Sequence, residues 1–311
     1  MSSIFFALVE IGCLVILIFT IVGLFGRFHW IADLTNHPRP FWLLGAVIAA
    51  GLTAFSSQRF IFYAAIVSIL INGYFVLPYI IPKVSTAYAA NQTVVKLMTS
   101  NVLYGNRSPD QLMETVNAVD PDILIVQEMS GYNQDQMAAL WEKYPYISDS
   151  PNGGAQEIIV FSKLELLSVE HYTEDTLWRS QAQVTVNIDG QITTILGMHP
   201  KAPMSNNRYQ RRNGELSRTA TRVSQIETPL VVAGDLNITP WTPIFKRFLS
   251  NANLTDGRAR SGLHMTWSPD GLPRVIPIDH VLYRGIDLHS FTSGPDTGSD
   301  HLPVIVEFSV K

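Results

Sequence analysis

The chain has 311 residues, of which 47% are hydrophobic and 15% charged, and its formal net charge is −4. A mean hydropathy of +0.15 is too high for an ordinary soluble domain, and an isoelectric point near 6.0 argues against a strong nucleic-acid binder. Cys13 is the only cysteine, so the chain has neither a disulfide framework nor a thiol pair to work with.

The apolar excess lies in the first eighty or so residues. Ile4 to Phe25 is apolar except for Glu10 and Thr20, and Phe60 to Ile81 except for Ser68 and Asn72. A spanning helix needs about 20 apolar residues, so both segments are predicted to cross a membrane. Phe41 to Phe55 is shorter, and Gly45, Ala49 and Gly51 would let it pack as the middle helix of a bundle. Residues 1–82 are therefore predicted to be a membrane region with about three transmembrane helices. The first segment has no basic start and a long apolar stretch, which argues against a cleavable signal peptide. Trp30, Trp42, Tyr74 and Tyr79 fit interfacial positions. Residues 83–93 are small and polar and read as a linker.

Residues 94–311 alternate strand and helix patterns. Val94 to Val102 alternates as a strand. Ser108-Pro109-Asp110-Gln111 reads as a capping-box helix start, with Leu112, Met113, Val116 and Val119 at helical spacing. Ile123 to Val126 reads as a buried strand and Asn133 to Lys143 as a helix. Strands are predicted at Glu157–Phe161, Glu165–His171 and Ala182–Asn187. The Asp189-Gly190 turn then leads into a returning strand, Ile192–His199. A helix over Arg208–Gln225, a strand over Pro229–Ala233, a short helix over Pro243–Leu249 and strands over Ile278–Tyr283 and Pro303–Ser309 complete the pattern. Hairpins mixed with strand–helix units predict an α/β fold of mixed sheets with helices outside. A segment starting near Ala90 is expected to fold without the membrane region.

The apolar strands end on residues capable of chemistry. Asn101 ends "KLMTSN", Glu128 ends "DILIVQE" and His199 ends "TTILGMH". Asp235 and Asn237 follow "PLVVAG", Asp279 opens "DHVLY", and Asp300-His301 precedes the last strand. One such residue would be unremarkable. Several, at the rigid ends of separate strands, predict one assembled site.

In that order the motifs "SNV", "VQE", "GDLN", "IDHVL" and "GSDHLPV" resemble those of the endonuclease/exonuclease/phosphatase family of metal-dependent phosphoesterases, in particular its membrane-anchored bacterial members. The resemblance implies a four-layer α/β sandwich, two packed sheets with outer helices, and Mg²⁺ or Mn²⁺ as cofactor. It also implies Glu128, a hard oxygen donor, as the main metal ligand, joined by Asp300 and Asn101. Asp235 would orient or deprotonate the attacking water, or protonate the leaving group. Asn237 would donate to a phosphoryl oxygen. His301 would face the phosphoryl group with Asp279 fixing its tautomer, and His199 would contact the phosphate. Where some nuclease members carry a further acidic ligand, this chain has Leu103.

Lys201, Arg208, Arg211, Arg212, Arg218 and Arg222 make a basic stretch after His199, with Glu215 its only acid. It reads either as an anion-binding rim or as a solvated helix face, and Arg208 and Arg212 are the candidate substrate contacts. His264, Trp267 and Arg274 precede "IDH" and are candidates for holding the rest of the substrate. The leading expectation is a membrane-tethered, Mg²⁺-dependent phosphoesterase acting on a phosphate ester or pyrophosphate, lipid-linked by virtue of the tether. The alternatives are a metal-dependent nuclease with a nucleic-acid substrate and an inactive membrane-bound binding module. The expected location is a bacterial inner membrane. The few loop charges favour a cytoplasmic catalytic domain, the family layout an extracytoplasmic one, and the latter is preferred.

Overall fold

A computed structural model describes residues 3–54, 59–81, 92–106, 108–129, 137–149, 156–175, 178–259, 261–269 and 272–311. The N-terminal region contains helices α1 (Ser3–Gly23), α2 (Trp30–Leu34), α3 (Arg39–Thr53) and α4 (Arg59–Ile80). Two of them, spanning Ile4–Gly23 and Arg59–Ile80, are long and apolar enough to cross a membrane. α3 has 15 residues and is shorter than a span. Small side chains let the helices approach. A Cβ on Gly45 would come within 2.7 Å of Ile16 Cδ1, and Ala46, Ala49, Ala64 and Ala65 are buried. The large apolar side chains point outward instead, among them Ile4, Leu8, Ile11, Phe60 and Leu70.

The rest of the chain forms two six-stranded sheets. β1 (Val95–Asn101), β2 (Ile123–Met129), β3 (Tyr146–Ile147) and β4 (Gln156–Ser162) join β11 (Ile286–Ser293) and β12 (Val304–Val310) in the order β11-β12-β1-β2-β4-β3. β5 (Ser168–Asp175), β6 (Trp178–Ile188), β7 (Gln191–Met198), β8 (Leu230–Asp235), β9 (Thr255–Asp256) and β10 (Asp279–Arg284) form the other, in the order β5-β6-β7-β8-β10-β9. Among the described strands, only the β1–β2 and β7–β8 pairs are parallel; each is bridged through a helix. Helices α5 (Pro109–Val119) and α6 (Ala138–Lys143) cover the first sheet, and α7 (Asn206–Val223) and α8 (Pro243–Ala252) the second.

The strand period builds four layers. Leu97, Ile123, Ile125, Ile195 and Val231 meet between the sheets. Their neighbours Met98, Leu124 and Val126 turn to α5 and α6, and Leu196, Leu230 and Val232 to α7 and α8. With both faces covered, these strands read as continuous apolar runs. This is the α/β sandwich that the motifs implied.

Some expectations shift. The helix expected over Asn133–Lys143 is observed as Ala138–Lys143, and residues 133–136 lie outside the described set, as do linker residues 83–91. Ser108 flanks α5 but makes no side-chain capping bond. β11 was not predicted: a bulge between Leu288 and Ser290 breaks its alternation.

The helical region is packed against the sandwich. Tyr209 donates to the Gly26 carbonyl at 2.8 Å, and Trp241 Nε1 to the Asn36 carbonyl at 2.7 Å. Tyr79 packs edge-on against Trp241, with ring centroids 6.1 Å apart, in a cluster with Val76, Phe75 and Leu43.

Candidate active site

The parallel pairs place β1, β2, β7 and β8 so that their C-terminal ends meet on one edge of the sandwich. Glu128 adopts φ 59° and Asn237 φ 50°, left-handed conformations that are uncommon for non-glycine residues. Each costs about 1 kcal/mol or more, and such strain persists only where the surroundings hold it. Gly234, at φ 141°, allows β8 to approach β7: a Cβ there would lie 2.0 Å from the Met198 carbonyl oxygen. That approach brings Asp235 beside His199.

Four carboxylates converge there. Asn101 Nδ2 donates to Glu128 Oε1 at 3.0 Å and to Asp235 Oδ2 at 3.3 Å. The Tyr104 backbone N–H donates to Glu128 Oε2 at 3.2 Å. His199 Nε2 lies 3.4 Å from Asp235 Oδ2 and 3.7 Å from Glu128 Oε1. Asp279 Oδ2 is 2.9 Å from His301 Nδ1, which leaves Nε2 facing Asp235 Oδ2 at 3.6 Å and Asp300 Oδ1 at 3.9 Å. Trp267 Nε1 donates to Asp300 Oδ2 at 2.9 Å. Burial would lower the His301 pKa, but the charges of Asp279 and Asp235 outweigh it and raise it to about 9. Burial would likewise raise Asp279, but His301 holds it below the ordinary carboxylate range. Without a metal, the surrounding carboxylates favour the imidazolium form of His301, with Nε2 directed at the cluster.

The donor set fits a divalent cation. Glu128, Asp235 and Asp300 offer hard oxygen atoms, and His301 and His199 do not balance their combined charge. Among the described residues, ligand-type atoms of Asp235, Asp279 and His301 lie within 4.8 Å of one another, and since Asp279 is paired with a protonated His301, Asp235 is the group's free donor.

The cluster opens into a cavity of about 990 Å³, lined also by Trp267, Arg208, Lys201, Arg211 and Arg218. Most of the sequence-derived site residues are thus in one place, but several differ from expectation. Asn101 gives its Oδ1 to the Leu103 N–H at 3.0 Å and its amide N–H to the carboxylates. It brackets Glu128 and Asp235 instead of offering them an oxygen partner. Asn237 spends its Nδ2 on the Pro200 carbonyl at 2.9 Å and on Asp235 at 3.2 Å. Arg212 is not a cavity residue: it is fully buried and paired with Asp33 at 2.7 Å. The helical period explains the difference, because position 212 lies on the inner face of α7 between the lining positions 211 and 214. Arg222 stacks over Tyr172, Arg274 bonds Ser268 and the Ser299 carbonyl, and His264 packs on Phe291; none lines the cavity.

Sequence reasoning missed Leu34 and His37, which line the cavity from the N-terminal region, and Tyr104, which acts through its backbone. Nothing in the local pattern marks them, because their role comes from tertiary packing.

The endonuclease/exonuclease/phosphatase family model matches residues 98–301. A UPF0294 protein of Vibrio parahaemolyticus is 24% identical over 236 residues, covering 70% of this chain and 78% of that protein. Among solved structures, truncated Caenorhabditis elegans TDP2 matches with a TM-score of 0.56 at 17% identity, over 70% of this chain and 98% of that one. The mannosyl-6-phosphatase of Bacteroides thetaiotaomicron matches with a TM-score of 0.54 at 16% identity, over 69% of this chain and 99% of that one. These structural likenesses establish the fold.

Proposed function

The chain belongs to the endonuclease/exonuclease/phosphatase family, and from that membership we propose a membrane-anchored, divalent-metal-dependent phosphoesterase whose substrate is a lipid-borne phosphate or pyrophosphate. The observation that carries the lipid reading is the position of the cavity. Leu34 and His37, which line it, lie in the segment joining two apolar helices, beside Glu128 and His301 of the sandwich. The outward faces of those helices are apolar, which suits a bilayer. A site so placed favours substrates that share the bilayer, by effective concentration.

Glu128 and Asp300 would hold Mg²⁺ or Mn²⁺. The ion would supply Lewis-acid polarisation of a phosphoryl oxygen and neutralise charge. Asp235 would orient the attacking water and take up its proton. His301, cationic and fixed by Asp279, stabilises the charge developing on the phosphoryl oxygens through Nε2–H. His199 brings a second imidazole to the same Asp235 oxygen, at 3.4 Å. Trp267 holds Asp300 and forms one wall, and Arg208 and Lys201 provide cations for further anionic groups of the substrate.

The test uses full-length protein, first shown to resist alkaline carbonate extraction from membranes and then purified in micelles. Polyprenyl pyrophosphate, a phosphoinositide and a DNA duplex are compared at matched Mg²⁺. Phosphate release from a lipid substrate, abolished by chelation, is the expected result. Rapid DNA cleavage without lipid phosphate release would overturn the proposal in favour of a nuclease.

A further inference from the structure

The buried ion pair between the two regions leads directly into the catalytic turn. Arg212 Nη2 donates to Asp33 Oδ2 at 2.7 Å, and both side chains are fully buried. The same guanidinium donates through Nη1 to the backbone carbonyl of Asn237 at 3.0 Å. Asn237 in turn donates to both carboxylate oxygens of Asp235, from its backbone N–H at 2.8 Å and its side chain at 3.2 Å. Asn237 is also one of the residues held in left-handed backbone geometry, which relaxes unless its neighbours fix it. A planar fork that also holds Asn213 Oδ1 through Nε at 3.0 Å suits that task, since its donors diverge at a set angle. A buried guanidinium, however, needs a counter-charge nearby, and Asp33 supplies it from a helix 179 positions away in the chain.

We infer that Asp33 is a positioning residue of the active site, acting through Arg212 to hold the Asn237 turn and so the Asp235 carboxylate. The N-terminal helical region is then a working part of the catalytic unit as well as its anchor. The inference rests on the proposed phosphoesterase activity only for its kinetic readout.

Full-length protein in micelles is assayed for hydrolysis of bis(p-nitrophenyl) phosphate with Mn²⁺, and its melting temperature is recorded. Two variants separate positioning from stability. Arg212→Lys keeps the charge opposite Asp33, but one ammonium cannot reproduce the fork to both partners. Asp33→Leu combined with Arg212→Met replaces the ion pair by apolar groups of similar size, an exchange that often leaves stability intact. Both should fold, and both should lose roughly 10- to 100-fold in kcat with KM within about threefold, the scale of a small misplacement at a reacting centre. Hydrogen exchange over residues 235–240 should speed up in both variants while the sheets stay protected.

A variant with wild-type melting, wild-type kcat and unchanged exchange at 235–240 would overturn the inference. Failure of both variants to fold would assign the pair to stability alone and overturn it equally. If the wild type hydrolyses no phosphoester, the functional reading has failed, and the exchange measurement still decides the role of Asp33.

Discussion

The two regions of this protein bury opposite things. In the sandwich, Val, Ile and Leu fill the space between the sheets, and buried polar and charged groups, such as Arg258 with His280 and the carboxylates converging at one edge, are exceptions to that apolar filling. In the helical region the interior carries polar groups. Asn72 donates to Thr20 at 2.7 Å, Arg39 donates to Asn72 and Asn36 at 2.9 Å each, and Asn36 donates to the Gly23 carbonyl at 2.9 Å. The outer surface there is Ile, Leu and Phe. Each arrangement suits a different solvent. In water, apolar burial drives packing. In lipid it supplies little, and small residues and internal hydrogen bonds take its place.

The largest effect that would sharpen this contrast lies at the sandwich's charged edge. Glu128→Ala should lower kcat roughly 10³- to 10⁴-fold, or about 4–5 kcal/mol in the barrier, while circular dichroism and melting stay as in the wild type. The Glu128 carboxylate is a site group bonded to Asn101 and the Tyr104 N–H, with no part in the sheet core. A loss under tenfold would remove Glu128 from the mechanism and make the edge a structural cluster.

The next effect tests the seam between the regions. The sequence reads as two units joined by a linker, with the second expected to fold from near Ala90. The structure shows buried contacts across that boundary. Such a truncation uncovers Trp241, Tyr209 and Arg212, all buried, and removes one acceptor from each: the Asn36 carbonyl, the Gly26 carbonyl and the Asp33 carboxylate. Trp241→Ala in the full chain should cost about 3 kcal/mol or more, read as a fall in the denaturation midpoint. The 90–311 segment should be less stable still and bind a hydrophobic dye. A truncated segment that melts like the full chain would show the seam to be a superficial contact.

This seam also marks the limit of what the sequence discloses. Strand ends are legible because an apolar run stopping at Glu128 or Asp235 is a local pattern, and the order of such runs carries the fold. The carboxylate cluster follows from them. Arg212 was misjudged for the same local reason: it sits in a basic stretch that looks like one surface, and only the rotation of α7 separates it from Arg208 and Arg211. Asp33 and His37 are invisible in the sequence, since the partner of Asp33, Arg212, and the cavity that His37 lines are built from residues far along the chain. β11 escaped because one bulge is enough to shift the period-2 signal.

A smaller effect is expected inside the helical region. Asn72→Leu removes the amide that links Thr20, Arg39 and the Ser68 carbonyl. Hydrogen bonds between helices in membranes are worth about 1 kcal/mol, so unfolding in micelles should shift by about that much. A loss of several kcal/mol would mean that this interior behaves like the dry core of the sandwich, and the contrast between the regions would fail.

A last test concerns two buried histidines within the sandwich, which the same fold treats in opposite ways. His301 is raised to about 9 by Asp279 and Asp235 against its burial. His280 is lowered to about 3, first by burial and then by the charge of Arg258. Its Nε2 donates to the Ile238 carbonyl at 2.7 Å, and its Nδ1 accepts from Arg258 at 3.1 Å, so the neutral ring satisfies both partners. The signs follow from linkage. A raised folded pKa stabilises fully below the unfolded value near 6.5, and that contribution is lost as pH rises through 9. A lowered one stabilises above 6.5, and its contribution is lost as pH falls towards 3. Metal-free protein in chelator should therefore be most stable near pH 6.5, with each limb falling by at most about 1.4 kcal/mol per pH unit for one proton. His280→Gln, which can still donate to one partner and accept from the other, should flatten the acid limb alone. His301→Gln should flatten the alkaline limb alone. If the alkaline limb persists in His301→Gln, the imidazolium assigned to the site is wrong, and with it the charge that Asp279 holds beside Asp235.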